Sequence, residues 1–193
     1  MNYLFHLYLS DPAPASLVGS LMGDFVKGRL YDRFPPDIAR AVLLHRQVDS
    51  YAATHPAVRR SRQRLDPAFG HYRGVLVDVY YDHFLARFWE RYSPEPLAAF
   101  ARRVYRALED LSPHIPVGMR PMAERMAAED WLTSYSREET VGRVLARMAG
   151  RLSRPNPLGA GGAELGRHYG GLAADGDEFI RAAQAHFAGR GDG

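Results

Sequence analysis

Apolar residues recur at helical spacing along most of the chain, and no period-2 stretch bounded by hairpin turns interrupts them. The pattern predicts a short helix at 3–10 and longer ones at 14–30, 36–54, 56–65, 72–92, 94–111, 119–134, 137–152 and 162–188. Prolines stand where these helices should begin, at Pro14, Pro35, Pro36, Pro56, Pro94 and Pro121. The first helical turn tolerates a residue that lacks an N–H, so the placement agrees with the periodicity. Short connections make successive helices antiparallel neighbours. The expectation is an all-α, single-domain helical bundle over 1–188, with 153–162 a loop and 189–193 a flexible tail.

Composition narrows the chemistry. A chain of 193 residues, 46% hydrophobic and 24% charged, has the profile of a globular domain with one sizeable core. No apolar run approaches the roughly 20 residues that span a bilayer, and the opening Met1 to His6 lacks a basic leader. A cytoplasmic location without a membrane partner is therefore expected. The absence of cysteine excludes disulfides, thiolate metal sites and a thiol nucleophile, leaving His, Asp and Glu as metal ligands. Net charge is only +3, yet the pI is about 9.3 and Lys27 is the sole lysine among 25 basic residues. A surface rich in guanidinium groups suits anionic partners, because arginine binds carboxylates and phosphates in a bidentate fashion.

Three predicted helices carry inward-facing ionisable residues. In 36–54, Ile38, Ala41, Val42, Val48 and Ala52 form one arc, and His45 and Asp49 fall near its middle, one turn apart. A buried carboxylate costs several kcal/mol unless a cation or a hydrogen-bond network compensates it. In 72–92, Asp78 and Asp82 lie at the same spacing within the arc of Val75, Val79, Leu85, Ala86 and Trp89. Their mutual repulsion becomes ligation if a divalent cation sits between them, whereas the competing reading pairs each with an arginine. In 14–30, Asp24 shares a face with Leu17, Leu21 and Gly28, and Gly19 and Gly23 keep that helix slim enough for close approach by a neighbour. His6 on the apolar first helix and His83 beside Asp82 each read singly as structural. Taken together, these imidazoles and carboxylates form a ligand set for Mn²⁺, Fe²⁺, Mg²⁺ or Zn²⁺ in a hydrolytic site, and the mixture favours Mn²⁺ over Ca²⁺.

Six blocks extend this reading: Asn2-Tyr-Leu-Phe-His6-Leu, Gly23-Asp24-Phe-Val-Lys-Gly28, Phe34-Pro-Pro-Asp37, His45-Arg46-Gln-Val-Asp49, Asp78-Val-Tyr-Tyr-Asp82-His83-Phe84-Leu85 and Asp130-Trp131-Leu-Thr-Ser-Tyr135. In order and spacing, from residue 2 to about residue 150, they resemble the acyl carrier protein phosphodiesterases, or acyl carrier protein hydrolases. The resemblance implies a divergent, all-helical branch of the HD phosphohydrolases. It further implies Mn²⁺-dependent removal of 4'-phosphopantetheine from holo-acyl carrier protein, leaving the apo form. The chain has no His-Asp dipeptide, only the reversed Asp82-His83, so individual assignments rest on the inward faces and the family blocks.

On that basis Asp24, His45, Asp78 and Asp82 are the expected metal ligands, and Asp49 completes the shell or orients a water. His6 or His83 is the expected general acid for the serine leaving group, since imidazole titrates near neutral pH. The carrier proteins of this family are small and acidic, so Lys27, Arg29 and Arg46 are expected to meet the partner, with a further basic cluster at Arg59, Arg60, Arg62 and Arg64. Two other readings use the same residues. One is an HD-type nucleotide phosphohydrolase, although no Gly-rich phosphate loop or base-stacking motif argues for nucleotide or nucleic acid. The other is a non-enzymatic, arginine-rich helical binding module whose inward aspartates pair with guanidinium groups.

Overall fold

A computed structural model describes residues 2–188, and the predicted tail at 189–193 lies outside them. Ten α-helices form among the described residues, linked by turns and short 3₁₀ segments, with no strand. They are α1 (Tyr3–Tyr8), α2 (Pro14–Met22), α3 (Pro36–Thr54), α4 (Pro56–Arg64), α5 (Arg73–Arg87), α6 (Leu97–Asp110), α7 (Arg120–Ala128), α8 (Trp131–Ser134), α9 (Glu138–Arg151) and α10 (Gly161–Phe187). The all-helical expectation holds. No helix is long and apolar enough to cross a membrane.

Where the bounds differ, local chemistry gives the reason. The helix predicted over 14–30 stops at Met22, and the chain turns through Gly23 to Phe25 before passing the left-handed Gly28 at φ +77°. Arg46 on α3 holds this segment down, donating to the Val26 carbonyl at 2.9 Å and the Gly28 carbonyl at 3.3 Å. Asp24 therefore sits in a turn rather than on a helical face. The helix predicted over 119–134 breaks at Asp130, which adopts φ 44°. Aspartate tolerates that conformation better than most residues, and here its carboxylate accepts from Tyr105 Oη at 2.8 Å and from the Thr133 hydroxyl.

The centre of the molecule is α5. Every residue from Val79 to Ala86 is buried, so the helix is enclosed on all sides rather than along one stripe. Helices α1, α4, α9 and α10 pack against it. Helix α1 is itself core, with Leu4, Phe5, His6 and Leu7 all buried. Helices α2 and α3 meet closely because Gly19 has no side chain: a Cβ there would lie 2.6 Å from the Ile38 carbonyl and 2.7 Å from Ala41 Cβ.

One inward aspartate outside the predicted site residues is compensated by arginine. Asp175 on α10 is 3% exposed and accepts from Arg60 Nε at 3.0 Å, Arg64 Nε at 2.8 Å and Ser61 Oγ at 3.2 Å, tying α10 to α4. Burial works to raise its carboxyl, but Arg64 and Arg60 overcome that and hold it below the ordinary aspartate value. These contacts use part of the expected basic cluster internally. Replacing Asp175 with alanine should cost about 2 kcal/mol in urea unfolding, the scale of hydrogen bonds to a charged group with half-exposed partners. Because the folded value is the lower one, this stabilisation is present above the unfolded aspartate pKa. The gap between wild type and the variant should therefore close as pH falls below about 4.

Candidate active site

The two i, i+4 residues of α3 form the base of the site. His45 is buried, and its Nδ1 donates to the Ser20 carbonyl at 2.7 Å, which orients the ring so that Nε2 points toward the carboxylates. His45 Nε2 lies 3.3 Å from Asp49 Oδ2 and 3.5 Å from Asp24 Oδ1. The turn after α2 thus brings Asp24 to the pair on α3. Gly23 makes the approach possible, since a Cβ at that position would lie 2.2 Å from His45 Cγ.

Helix α1 supplies the second imidazole. The His6 ring stacks on His45 with centroids 3.6 Å apart and planes 10° from parallel, and His6 Nε2 lies 3.3 Å from Asp49 Oδ1. The ring is 2% exposed, Nδ1 makes no hydrogen bond, and Nε2 has only the loose contact with Asp49. A buried imidazole so weakly satisfied is costly unless something else engages it. One ligand atom from each of His6, His45 and Asp49 falls within 4.8 Å of the others, a spacing that admits a single ion.

The charges follow from this packing. Burial drives the His6 pKa down to about 4 despite Asp49, so the ring is neutral and keeps a lone pair for a ligand. Burial opposes charge on His45 as well, but Asp24 and Asp49 outweigh it and raise the pKa to about 9. For Asp49 the desolvation that would raise its carboxyl is overcome by His45 and His6, which hold it well below the usual carboxylate range. His45 in turn lowers Asp24. The cluster opens to solvent on its acidic side: the Asp24 side chain is 56% exposed and that of Asp49 43%, against 1% for His6.

The other predicted site residues stand apart in informative ways. Asp82 does face inward, at 0% exposure, but both its oxygens are engaged by backbone amides, accepting from Leu4 N at 2.8 Å and Phe5 N at 2.9 Å. It caps the first turn of α1, whose own N-cap residue Asn2 makes no side-chain cap, and so supports the helix that carries His6. Burial pushes Asp82 up to about 7 against those two amides. Asp78 is partly buried one turn earlier; burial raises its carboxyl, and Asp49 is near enough to add to the effect. His83 is not brought to the cluster. Its Nδ1 pairs with the Tyr135 carbonyl at 2.8 Å and its Nε2 with Tyr169 Oη at 3.0 Å, which uses both nitrogens structurally. Among the three basic residues, Lys27 and Arg29 are exposed on the segment after Asp24, Arg29 beside Asp32 at 3.2 Å, while Arg46 is occupied by the loop carbonyls already described. Periodicity could not reveal the Ser20 carbonyl, since a backbone acceptor leaves no residue signature.

A family model described as acyl carrier protein phosphodiesterase matches residues 1–183. The chain belongs to this family. It is similar to the acyl carrier protein phosphodiesterase of Enterobacter sp. (strain 638), 33% identical over 173 residues that cover 89% of this chain and 90% of the relative. The corresponding protein of Salmonella agona (strain SL483) is 32% identical over the same shares. No solved structure shows significant similarity. Membership makes the chain a phosphodiesterase-family enzyme, and all four residues of the open cluster, His6, Asp24, His45 and Asp49, lie within the matched span.

Proposed function

We propose that this chain hydrolyses the phosphodiester joining 4'-phosphopantetheine to the serine of holo-acyl carrier protein, with a divalent cation held by His6, His45 and Asp49 and flanked by Asp24. The observation that carries the reading is the cluster itself: two stacked, buried imidazoles and a carboxylate with ligand atoms within 4.8 Å of one another. Asp24 and Asp49 both face His45 Nε2, at 3.5 and 3.3 Å, and this shared imidazole partner favours the metal reading over the binding module. The imidazole and carboxylate donors fit Mn²⁺.

In this assignment His6 joins His45 as a ligand rather than acting as the general acid, and Asp49 completes the shell. Asp82 and His83 become supports of α1 and of the α5 core, and Asp78 a further carboxylate within electrostatic reach. When bound, the cation supplies charge neutralisation at the phosphoryl oxygens and activation of water. The remaining work falls to protein groups. The Ser20 carbonyl fixes the His45 tautomer, Asp82 holds α1 so that His6 stays stacked, and the exposed edge formed by Asp24 and Asp49 admits the ester. In the reaction a water oxygen bonds to phosphorus and gives up a proton, the bond from phosphorus to the serine oxygen breaks, and the serine oxygen takes up a proton, so that one water is consumed. Lys27 and Arg29, exposed beside Asp24, face an acidic partner across the same edge.

Dialysis against a chelator should abolish conversion of holo- to apo-carrier protein, and Mn²⁺ should restore it. Intact-mass spectrometry of the carrier protein reads the loss of the prosthetic group directly. Undiminished turnover after exhaustive chelation would remove the cation from the assignment, and turnover of nucleotides but not of holo-carrier protein would remove the substrate.

A further inference from the structure

A cavity of about 260 Å³ has walls that combine aromatic, aliphatic and cationic side chains. Tyr3 and Trp131 form one wall, with ring centroids 6.3 Å apart and planes inclined by 30°. Val144 and Met148 of α9 add apolar surface. Arg143 and Arg147 already have partners, Thr140 Oγ1 at 3.0 Å and Glu129 Oε2 at 2.8 Å. Arg137 and Arg151 also line the cavity, and neither has an ion-pair partner among the described residues. Exposed guanidinium groups over an aromatic wall fit a ligand with an anionic end and a body of amide and alkyl groups.

Helix α1 links the cavity to the ligand cluster. Helix α1 carries Tyr3 into the cavity and His6, three residues on, into the cluster, and residues so spaced share one face of a helix. Burial raises the Tyr3 phenol, the Asp24 carboxylate raises it further and the Arg151 guanidinium lowers it, so one hydroxyl lies within Coulomb reach of a cluster carboxylate and a cavity arginine. The larger groove of about 790 Å³ between α6 and α7 shares no residue with the cluster, and its arginines alternate with Glu109 and Glu124.

We infer that the cavity between α8 and α9 receives the phosphopantetheine arm, with Trp131, Tyr3 and Met148 against the pantetheine body and Arg137 and Arg151 recognising its polar and anionic groups. The inference rests on the proposed reaction and adds to it the place where the released half of the substrate lies. It also gives the apolar wall a partner, the amide and alkyl body of the arm.

The test is a binding titration of the full-length protein with free 4'-phosphopantetheine, followed by tryptophan emission. Trp89 is 3% exposed in the core, so Trp131 is the reporter of the pair. A saturable change is expected, absent in Trp131→Phe. Arg151→Gln and Arg137→Gln, both exposed and free to change without unfolding, should each weaken the affinity by about tenfold or more and raise KM for holo-carrier protein more than they lower kcat. Inorganic phosphate alone should compete poorly. A flat titration, or equal affinity in wild type and both arginine variants, would overturn the assignment even if holo-carrier protein is hydrolysed. Binding that follows the predicted pattern without any hydrolysis would instead leave the cavity assigned and defeat the reaction.

Discussion

His45→Ala is expected to lower hydrolysis of holo-carrier protein by roughly 10³-fold, with helicity by circular dichroism close to wild type. The size follows from the charge stabilisation that the proposed cation would supply, several kcal/mol at about 1.4 kcal/mol per tenfold in rate. His45 is the shared element of the cluster: its ring touches His6, its Nε2 faces both Asp24 and Asp49, and its Nδ1 is anchored on Ser20. Removing it should also lower the bound Mn²⁺ measured by metal analysis of the purified protein. Asp49→Asn provides a companion whose side chain is 43% exposed, so that folding is not in question. Rates within tenfold of wild type in both variants would dissociate this cluster from catalysis.

The second large effect is expected from a single methyl group. In Gly23→Ala the new Cβ would lie 2.2 Å from His45 Cγ, 2.3 Å from Cδ2 and 2.6 Å from Nδ1. The ring cannot retreat easily, because it is stacked on His6 and tied to the Ser20 carbonyl. Either the turn carrying Asp24 or the imidazole must move by an ångström or so, and displacement of that order at a catalytic group costs about 10²-fold. Gly118→Ala is the control, since a Cβ there meets nothing within 4 Å. Equal activity in Gly23→Ala and Gly118→Ala would show that close approach of Gly23 to His45 has no catalytic role.

The arginine cavity has a sequence signal of its own, apart from the acids and imidazoles. Arg143, Arg147 and Arg151 recur every four residues along α9, which places three guanidinium groups on one stripe. Solvated stripes of that kind are common on helices. Only the approach of Trp131 and Tyr3 from elsewhere in the chain makes this one a cavity wall.

Asp82 and Asp175 make the same point from the acidic side. Burial demands compensation of an inward carboxylate but does not specify its kind. Asp82 receives two backbone amides at the start of α1, Asp175 two arginines and a serine, and Asp49 the edges of two histidines. Spacing along a helix treats all three alike.

Taken alone, the sequence determined the helices, most of their bounds and the one-turn juxtaposition of His45 and Asp49, because helical period and i, i+4 proximity are properties of neighbouring residues. It also marked Gly19 and Gly23 as places of close approach. Only the tertiary structure decided that α1 lays His6 flat on His45, that α2 ends early enough to turn Asp24 toward them, and that Asp82 serves the α1 amides instead. Those outcomes depend on which helices meet and on backbone atoms common to every residue, and neither is written in the spacing of side chains.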